Sequence, residues 1–195
     1  MNAGGKADIQ TLRLYANASE MYSSGNFFET IMLLNNIKAF PPALVLRAKA
    51  EYFSGELDRA EKSCRQAIRR QPGSFEAKLF LARILREKGE TEKAGQLTEK
   101  LLADNSHDIR LLRFAASLAL EKGNAEGASE LLNQAAELSA EGAAVLLDRA
   151  RLYWVSGRGA DALEDLARAR AILPWDTPIA RSINQLEKRI TEAMQ

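Results

Sequence analysis

Four pairs of residues spaced three apart combine a basic side chain with a second basic or an aromatic one. The pairs are Lys49 with Tyr52, Arg83 with Arg86, Arg110 with Arg113, and Arg151 with Trp154. Residues three apart lie on the same face of a helix, so each pair would present its two side chains together. A guanidinium group fits a carboxylate through two parallel hydrogen bonds, and an aromatic ring adds apolar contact at small entropic cost. These residues therefore suit recognition of a segment that carries acidic side chains.

A second interpretation of the same residues needs no ligand. Glu87 follows Arg83 by four residues, and Asp148 precedes Arg151 by three. Ion pairs at such spacings contribute about 0.2–0.5 kcal/mol to an isolated helix and need no partner protein. Three arginines have no acid at helical spacing within their own predicted helix: Arg86, Arg110 and Arg113. The sequence is compatible with both interpretations, a binding surface and a solvated charged face.

Residues that could perform catalysis or hold a metal are few and scattered. The chain has one His, His107, and one Cys, Cys64. A zinc site needs several ligands and a nucleophilic Cys needs a base or a lowered pKa, so we expect His107 to be a polar residue at a helix start and Cys64 to be a small core residue. The segment "SGRGAD" at Ser156 lacks the Lys and the spacing of a phosphate-binding loop. The sequence predicts no catalytic residue, no metal and no cofactor.

The composition disfavours several kinds of partner. The 195 residues include 27 basic and 26 acidic ones, for a net charge of +1. A general nucleic-acid-binding protein or a polybasic membrane anchor would show a basic excess. No apolar run has the length of a membrane span, and the start, "MNAGGKADIQ", lacks the apolar core of a signal peptide. We expect a protein or peptide partner, no nucleic acid and no membrane insertion; the compartment stays open, cytoplasmic by default and periplasmic if an export signal has been removed.

A repeat in the sequence would position the basic and aromatic residues. Glycines recur at spacings of 30, 34, 34 and 34 residues, at Gly25, Gly55, Gly89, Gly123 and Gly157. Seven residues before each Gly lies an alanine, and five residues after it lies Thr30 in the first cycle and an alanine in the others. The apolar pattern between the glycines is helical, which predicts two short helices per cycle, joined at the Gly. Gly tolerates the left-handed conformation of a helix end, and small residues let two helices approach closely.

Prolines are expected to end the second helix of three cycles, because Pro lacks the amide hydrogen that would continue it. These are Pro42, Pro72 and Pro174. Ser106 and Ala140 occupy the corresponding place in the other two cycles, where we expect a softer stop.

This pattern resembles the tetratricopeptide repeat family, whose 34-residue period carries small residues at the eighth and twentieth places and Gly at the fifteenth. The resemblance implies an all-α solenoid of five helix pairs, at about residues 11–40, 41–74, 75–108, 109–142 and 143–176. Residues 1–10 are expected to form a flexible tail. The helical pattern of residues 177–195 predicts a helix that caps the last repeat, and Trp175 is expected to pack on it.

The resemblance also implies where a partner would bind. In this family the first helices line the concave face of a right-handed superhelix, and places 2, 5, 9 and 12 of a first helix share one stripe. All eight residues of the four pairs fall on these places. The family's clamp for C-terminal carboxylates needs Lys and Asn where this chain has Tyr15, Ser19 and Leu46. A cochaperone for the tails of heat-shock chaperones is therefore disfavoured.

The function that the sequence favours is a non-enzymatic adaptor. It would bind a protein or peptide segment of acidic character in its concave groove. Two alternatives remain, a homo-oligomeric scaffold formed by self-assembly and the regulatory region of a larger protein.

Overall fold

The computed structural model describes residues 8–138, 142–172 and 178–194. Across these residues the chain forms eleven α-helices and no strand, which confirms the predicted all-α fold. The helices are α1 (Ile9–Ser23), α2 (Phe27–Leu34), α3 (Pro41–Phe53), α4 (Leu57–Arg70), α5 (Phe75–Glu87), α6 (Thr91–Asp104), α7 (Ile109–Glu121), α8 (Ala125–Leu138), α9 (Ala143–Val155), α10 (Gly159–Ile172) and α11 (Pro178–Ala193). The first ten form five consecutive hairpins, and α11 follows the fifth.

Each hairpin turns at one of the five recurring glycines. All five have a positive φ, between +75° and +80°. In the third hairpin the amide of Gly89 donates to the carbonyl of Arg86 at 2.9 Å, and the amide of Glu90 donates to the carbonyl of Leu85 at 2.8 Å. The other four turns have the same two bonds. This is the Schellman arrangement, which requires a left-handed residue after the helix, so the predicted role of the glycines is confirmed.

Small residues lie where the two helices of each hairpin meet. The alanine seven residues before each Gly is at most 2% exposed, and the small residue five after it is fully buried. Thr30 is the one residue of this set that is not an alanine. Its buried hydroxyl donates a hydrogen bond of 2.8 Å to the carbonyl of Asn26. Because no side chain longer than these stands between the backbones, the helices can approach closely.

The first hairpin differs from the others in its second helix. Helix α2 has 8 residues, whereas α4, α6, α8 and α10 each have 14. The expectation that Pro42 ends this helix is wrong, because α2 ends at Leu34 and Pro41 and Pro42 begin α3. Pro is tolerated there because the first amides of a helix have no intrahelical acceptor. Pro72 does follow the end of a second helix, α4.

The end of the expected tail, residues 1–10, overlaps the first helix. Asp8 caps α1, its Oδ1 accepting a hydrogen bond of 2.6 Å from the amide of Thr11, and α1 begins at Ile9. Residues 1–7 of the expected tail lie outside the described residues. The same is true of Ala140, Pro174 and Trp175, so the expectations for these three stay untested.

The contacts divide the chain into an N-terminal body, Met1–Leu101, and a C-terminal body, Leu102–Gln195. One core of the N-terminal body gathers Ala18, Leu34 and Ala43, from α1, α2 and α3. A second joins Leu44 to Ala67 and Ala77, from α3, α4 and α5.

In the C-terminal body the last helix covers the last hairpin. Ile183 and Ile190 of α11 are fully buried and belong to one core with Leu146 of α9 and Leu166 of α10. Arg170 of α10 pairs with Glu187 of α11 across this contact. The predicted capping helix is therefore present.

One carboxylate is buried between α3 and α4. The Glu51 side chain is 3% exposed, and its Oε2 accepts a hydrogen bond of 2.6 Å from the Ser63 hydroxyl. Its Oε1 lies 3.6 Å from Nε of Arg47 and 3.8 Å from Nε of Arg59. Burial raises the pKa of Glu51, and the hydrogen bond from Ser63 and the two guanidinium charges oppose this only in part. Neighbouring Cys64 is fully buried, as predicted, and burial raises the pKa of its thiol to about 12.

We predict that Gly89→Ala lowers the free energy of unfolding by about 1–2 kcal/mol, the cost of a left-handed conformation for an L-residue with a side chain. A Cβ at Gly89 would meet no atom within 4 Å, so the cost is conformational and not steric. Gly73→Ala is the matched control, because its Cβ also meets nothing and its φ is not positive. Urea denaturation of both variants measures the difference; equal stability of the two would contradict the role given to the turn.

A second prediction concerns pH. The pKa of the Glu51 carboxyl is higher in the folded protein than its ordinary 4.5. Its protonated form therefore contributes to stability below pH 4.5, and this contribution is lost as the pH rises through the folded-state pKa. In Glu51→Gln the amide does not titrate and still accepts from Ser63. The Tm of this variant relative to the native protein should therefore increase from about pH 4 to about pH 7. Glu130→Gln, at an exposed position on α8, controls for the loss of one negative charge. The same pH trend in both variants would contradict the burial argument.

Candidate functional site

The eight candidate residues lie on first helices of the hairpins, four in each body. In the N-terminal body α3 carries Lys49 and Tyr52, and α5 carries Arg83 and Arg86. In the C-terminal body α7 carries Arg110 and Arg113, and α9 carries Arg151 and Trp154. We call the two sets the N-terminal stripe and the C-terminal stripe. Three of the eight residues occupy place 12 of their repeat: Tyr52, Arg86 and Trp154. The backbone carbonyl of each accepts a hydrogen bond from the amide of the Gly in the following turn, which fixes the backbone at these positions.

The N-terminal stripe is organised around Lys49 and an acidic residue of the next first helix. Lys49 Nζ lies 2.6 Å from Oε1 of Glu76 on α5. The same ammonium lies 5.9 Å from the centre of the Phe80 ring, within the range of a cation–π contact. Lys49 therefore bridges α3 and α5.

Tyr52 belongs to a chain of aromatic contacts in the same body. Its ring is 5.4 Å from that of Phe80 and 5.3 Å from that of Phe53, both edge-on. Phe53 in turn stacks on Phe27 at 5.3 Å, and Phe53 is 55% exposed. Burial raises the pKa of the Tyr52 hydroxyl, and the Glu87 carboxylate raises it further. Sequence reasoning missed Phe53, because it sits one residue beyond the stripe; its aromatic type beside Tyr52 was the available signal.

The two arginines of the N-terminal stripe lie beside Tyr52. Nη2 of Arg86 is 3.0 Å from Oε1 of Glu87, the adjacent residue, although the sequence offered Arg86 no acid at helical spacing. Arg83 is half-buried, and its positive charge acts to lower the pKa of Tyr52.

In the C-terminal stripe Arg110 pairs with the residue that caps its own helix. Nη2 of Arg110 is 2.8 Å from Oδ2 of Asp108, and Oδ1 of Asp108 accepts from the amide of Leu111 at 3.1 Å. The hydrogen bond from Arg110 lowers the pKa of Asp108, as does the one from the amide. Asp108, and not His107, is the cap at this helix start; Nδ1 of His107 lies 2.9 Å from the Ser106 hydroxyl oxygen.

Two other arginines of the C-terminal stripe share one carboxylate. Nε of Arg113 on α7 is 2.7 Å from Oδ2 of Asp148 on α9, and Nη1 of Arg151 is 3.4 Å from Oδ1 of the same residue. Two positive groups and one negative group leave this trio with a net charge of +1. The Arg151 side chain is 55% exposed, so it can reach a ligand. The three-residue spacing of Asp148 and Arg151 predicted their ion pair. The ion pair between Asp148 and Arg113 joins two different helices, so local spacing could not predict it.

Trp154 is placed differently from the arginines. Its half-buried ring packs against the core formed by α9, α10 and α11. Part of its surface therefore contributes to the fold, and only the remainder could meet a partner.

A cleft in the N-terminal body adds residues that the sequence did not single out. It has a volume of about 220 Å³. Its lining comes from three consecutive first helices and the turn before α5: Tyr15, Pro41, Pro42, Val45, Leu46, Lys49, Gln71, Ser74 and Glu76. Pro42 and Val45 occupy places 2 and 5 of their repeat, on the same stripe as Lys49. A search of the stripe for apolar as well as charged residues would have found them.

The structure contains little that suggests other chemistry. Over the described part of the chain, no group of three or more His, Cys, Asp or Glu side chains is arranged to hold a metal ion. Among the described helices, none is both long enough and apolar enough to cross a membrane.

Comparison with protein families gives two matches. One tetratricopeptide repeat model matches residues 53–118, and another matches residues 115–174. Together they cover more than half of the chain. No curated protein sequence gives a significant match.

Several solved structures share the fold. The thermophilic TPR protein TTC0263 of Thermus thermophilus is 20% identical with a TM-score of 0.76, over 94% of this chain and 98% of that one. MamA of Desulfovibrio magneticus RS-1 is 18% identical with a TM-score of 0.67, over 82% and 93%. YrrB, described as a TPR protein with an unusual peptide-binding site, is 14% identical with a TM-score of 0.61, over 88% and 90%. At these identities the structures show the fold alone, but with the family models they lead to one conclusion. The chain belongs to the tetratricopeptide repeat family.

Proposed function

We propose that this protein is a non-enzymatic interaction module whose first helices bind a segment of a partner protein. The N-terminal and C-terminal stripes supply the contact residues: Lys49, Tyr52, Arg83, Arg86, Arg110, Arg113, Arg151 and Trp154. The partner segment has acidic character, at least where it meets the C-terminal stripe.

The trio of Arg113, Asp148 and Arg151 is the observation that carries this proposal. The two guanidinium groups share one carboxylate, so the three side chains carry a net charge of +1, and the Arg151 side chain is 55% exposed. A carboxylate from a partner could take Asp148's place beside Arg151, whose present contact at 3.4 Å is long for a charge-assisted hydrogen bond. Arg113, held at 2.7 Å by Asp148, would stay in position.

The fold supports recognition over catalysis. Hairpins that turn through identical hydrogen bonds give a surface with little conformational freedom to lose on binding, which favours affinity. YrrB, which shares the fold, is described as having a peptide-binding site. Arginines and aromatic side chains are also enriched among the residues that dominate binding energy at protein interfaces.

The test begins with a random library of dodecapeptides displayed on phage and selected against the full chain. Enriched peptides are then synthesised with a fluorescent label, and their Kd is measured by anisotropy. Arg113→Gln combined with Arg151→Gln should weaken binding of acidic peptides by about tenfold or more, because each charge-assisted hydrogen bond contributes about 1.5–3 kcal/mol. Binding should also weaken as salt is raised from about 50 mM to about 300 mM.

Arg181→Gln combined with Arg189→Gln is the matched control. It removes two exposed positive charges from α11, which carries neither stripe. Equal weakening by the two double variants would attribute the effect to net charge and contradict the acidic site. Failure to enrich any peptide would contradict the interaction module itself.

A further inference from the structure

We propose that the cleft beside Lys49 binds one bulky apolar side chain, of leucine or phenylalanine size, from the partner segment. This inference rests on the proposed function and specifies what the N-terminal stripe recognises.

Part of the wall of the cleft is apolar and preformed. Val45 and Leu46 of α3 are 7% and 9% exposed, and they are held by neighbouring helices. The Tyr15 ring also lines the cleft, and it makes an edge-on contact with Phe40 at 5.3 Å between ring centres. Side chains fixed in this way offer contact area without an ordering cost on binding.

The size of the cleft fits a single side chain. Its volume of about 220 Å³ is below the roughly 300–1,000 Å³ of pockets that enclose a drug-sized molecule. An apolar cavity of about 150 Å³ in another protein holds one benzene molecule. A phenyl or isobutyl group therefore fits.

The charges of the cleft favour a neutral occupant. Of the residues that line it, Lys49 and Glu76 are charged, and they lie 2.6 Å apart at one side. An acidic side chain would have to compete with Glu76 for the ammonium. The pair instead presents a donor and an acceptor that could bond the backbone of an extended segment whose side chain enters the cleft.

The start of α3 also disfavours an anion. A helix N-terminus binds anions through its free amides, but the first residues of α3 are Pro41 and Pro42, which have no amide hydrogen. Their rings extend the apolar wall instead. The cleft therefore suits an apolar residue, unlike the arginines of the C-terminal stripe, which suit acidic ones.

The test compares Gln71→Trp with Gln96→Trp in the full chain. Gln71 is exposed at the edge of the cleft, so an indole there would occupy the space without disturbing the core, whereas Gln96 is exposed on α6 and does not line the cleft. Phage-displayed dodecapeptides are selected in parallel on the native protein and both variants. Peptides enriched on the native protein and on Gln96→Trp should share one Leu or Phe position. They should bind Gln71→Trp at least about tenfold more weakly, as should the same peptides with that residue changed to Ala.

A second measurement uses the native protein alone and does not depend on the folding of a variant. Methyl signals of Val45 and Leu46 in a ¹³C-labelled sample should shift when the synthetic peptide is added and stay in place with its Ala version. The inference is overturned if enriched peptides bind Gln71→Trp as tightly as the native protein, or if the methyl signals do not respond. Either result would leave the proposed interaction module uncontradicted. Failure to enrich any peptide would contradict both the interaction module and the apolar cleft.

Discussion

The contact between small residues within each hairpin is the constraint on which the rest of the structure depends. Five alanines on the first helices and four alanines and Thr30 on the second are almost wholly buried, and a Gly with positive φ closes each turn. The close approach and the Schellman bonds together fix how far each first helix rotates about its axis. That rotation decides which places face the hairpin interior and which remain available. The stripes are therefore a consequence of the smallest side chains in the repeat.

Charge is distributed on the stripes in two different ways. In the N-terminal body Lys49 meets Glu76, and the nearby wall is apolar. In the C-terminal body Arg113 and Arg151 share Asp148. A net charge of +1 for the whole chain conceals this difference, because composition averages over positions that the fold separates. The two stripes are accordingly proposed to recognise different side chains, apolar in the N-terminal body and acidic in the C-terminal body.

The helices, turns and buried small residues could be predicted from the sequence, because they depend on local spacing that a 34-residue period repeats. The junction after α2 could not be predicted in this way. The first repeat is shorter than the others, and Pro42 therefore lies at the start of α3 and not at the end of α2. The ion-pair partner of an arginine could not be predicted from the sequence where the two residues lie on different helices. Asp148, for example, lies 35 residues from Arg113. Tyr15 and Leu46, which argued against the carboxylate clamp, prove to be walls of the cleft, a role that needed three helices in place.

Hydrogen exchange tests most directly whether the first helices bind the partner, because it locates the backbone amides that a bound peptide protects. With a selected peptide at saturation, exchange should slow in the N-terminal turns and at the ends of first helices, such as α5 and α9. Exchange in second helices, such as α4 and α10, should not change. Protection confined to second helices would show that the partner binds another face, and would contradict the claim that the hairpins hold their first helices ready for recognition.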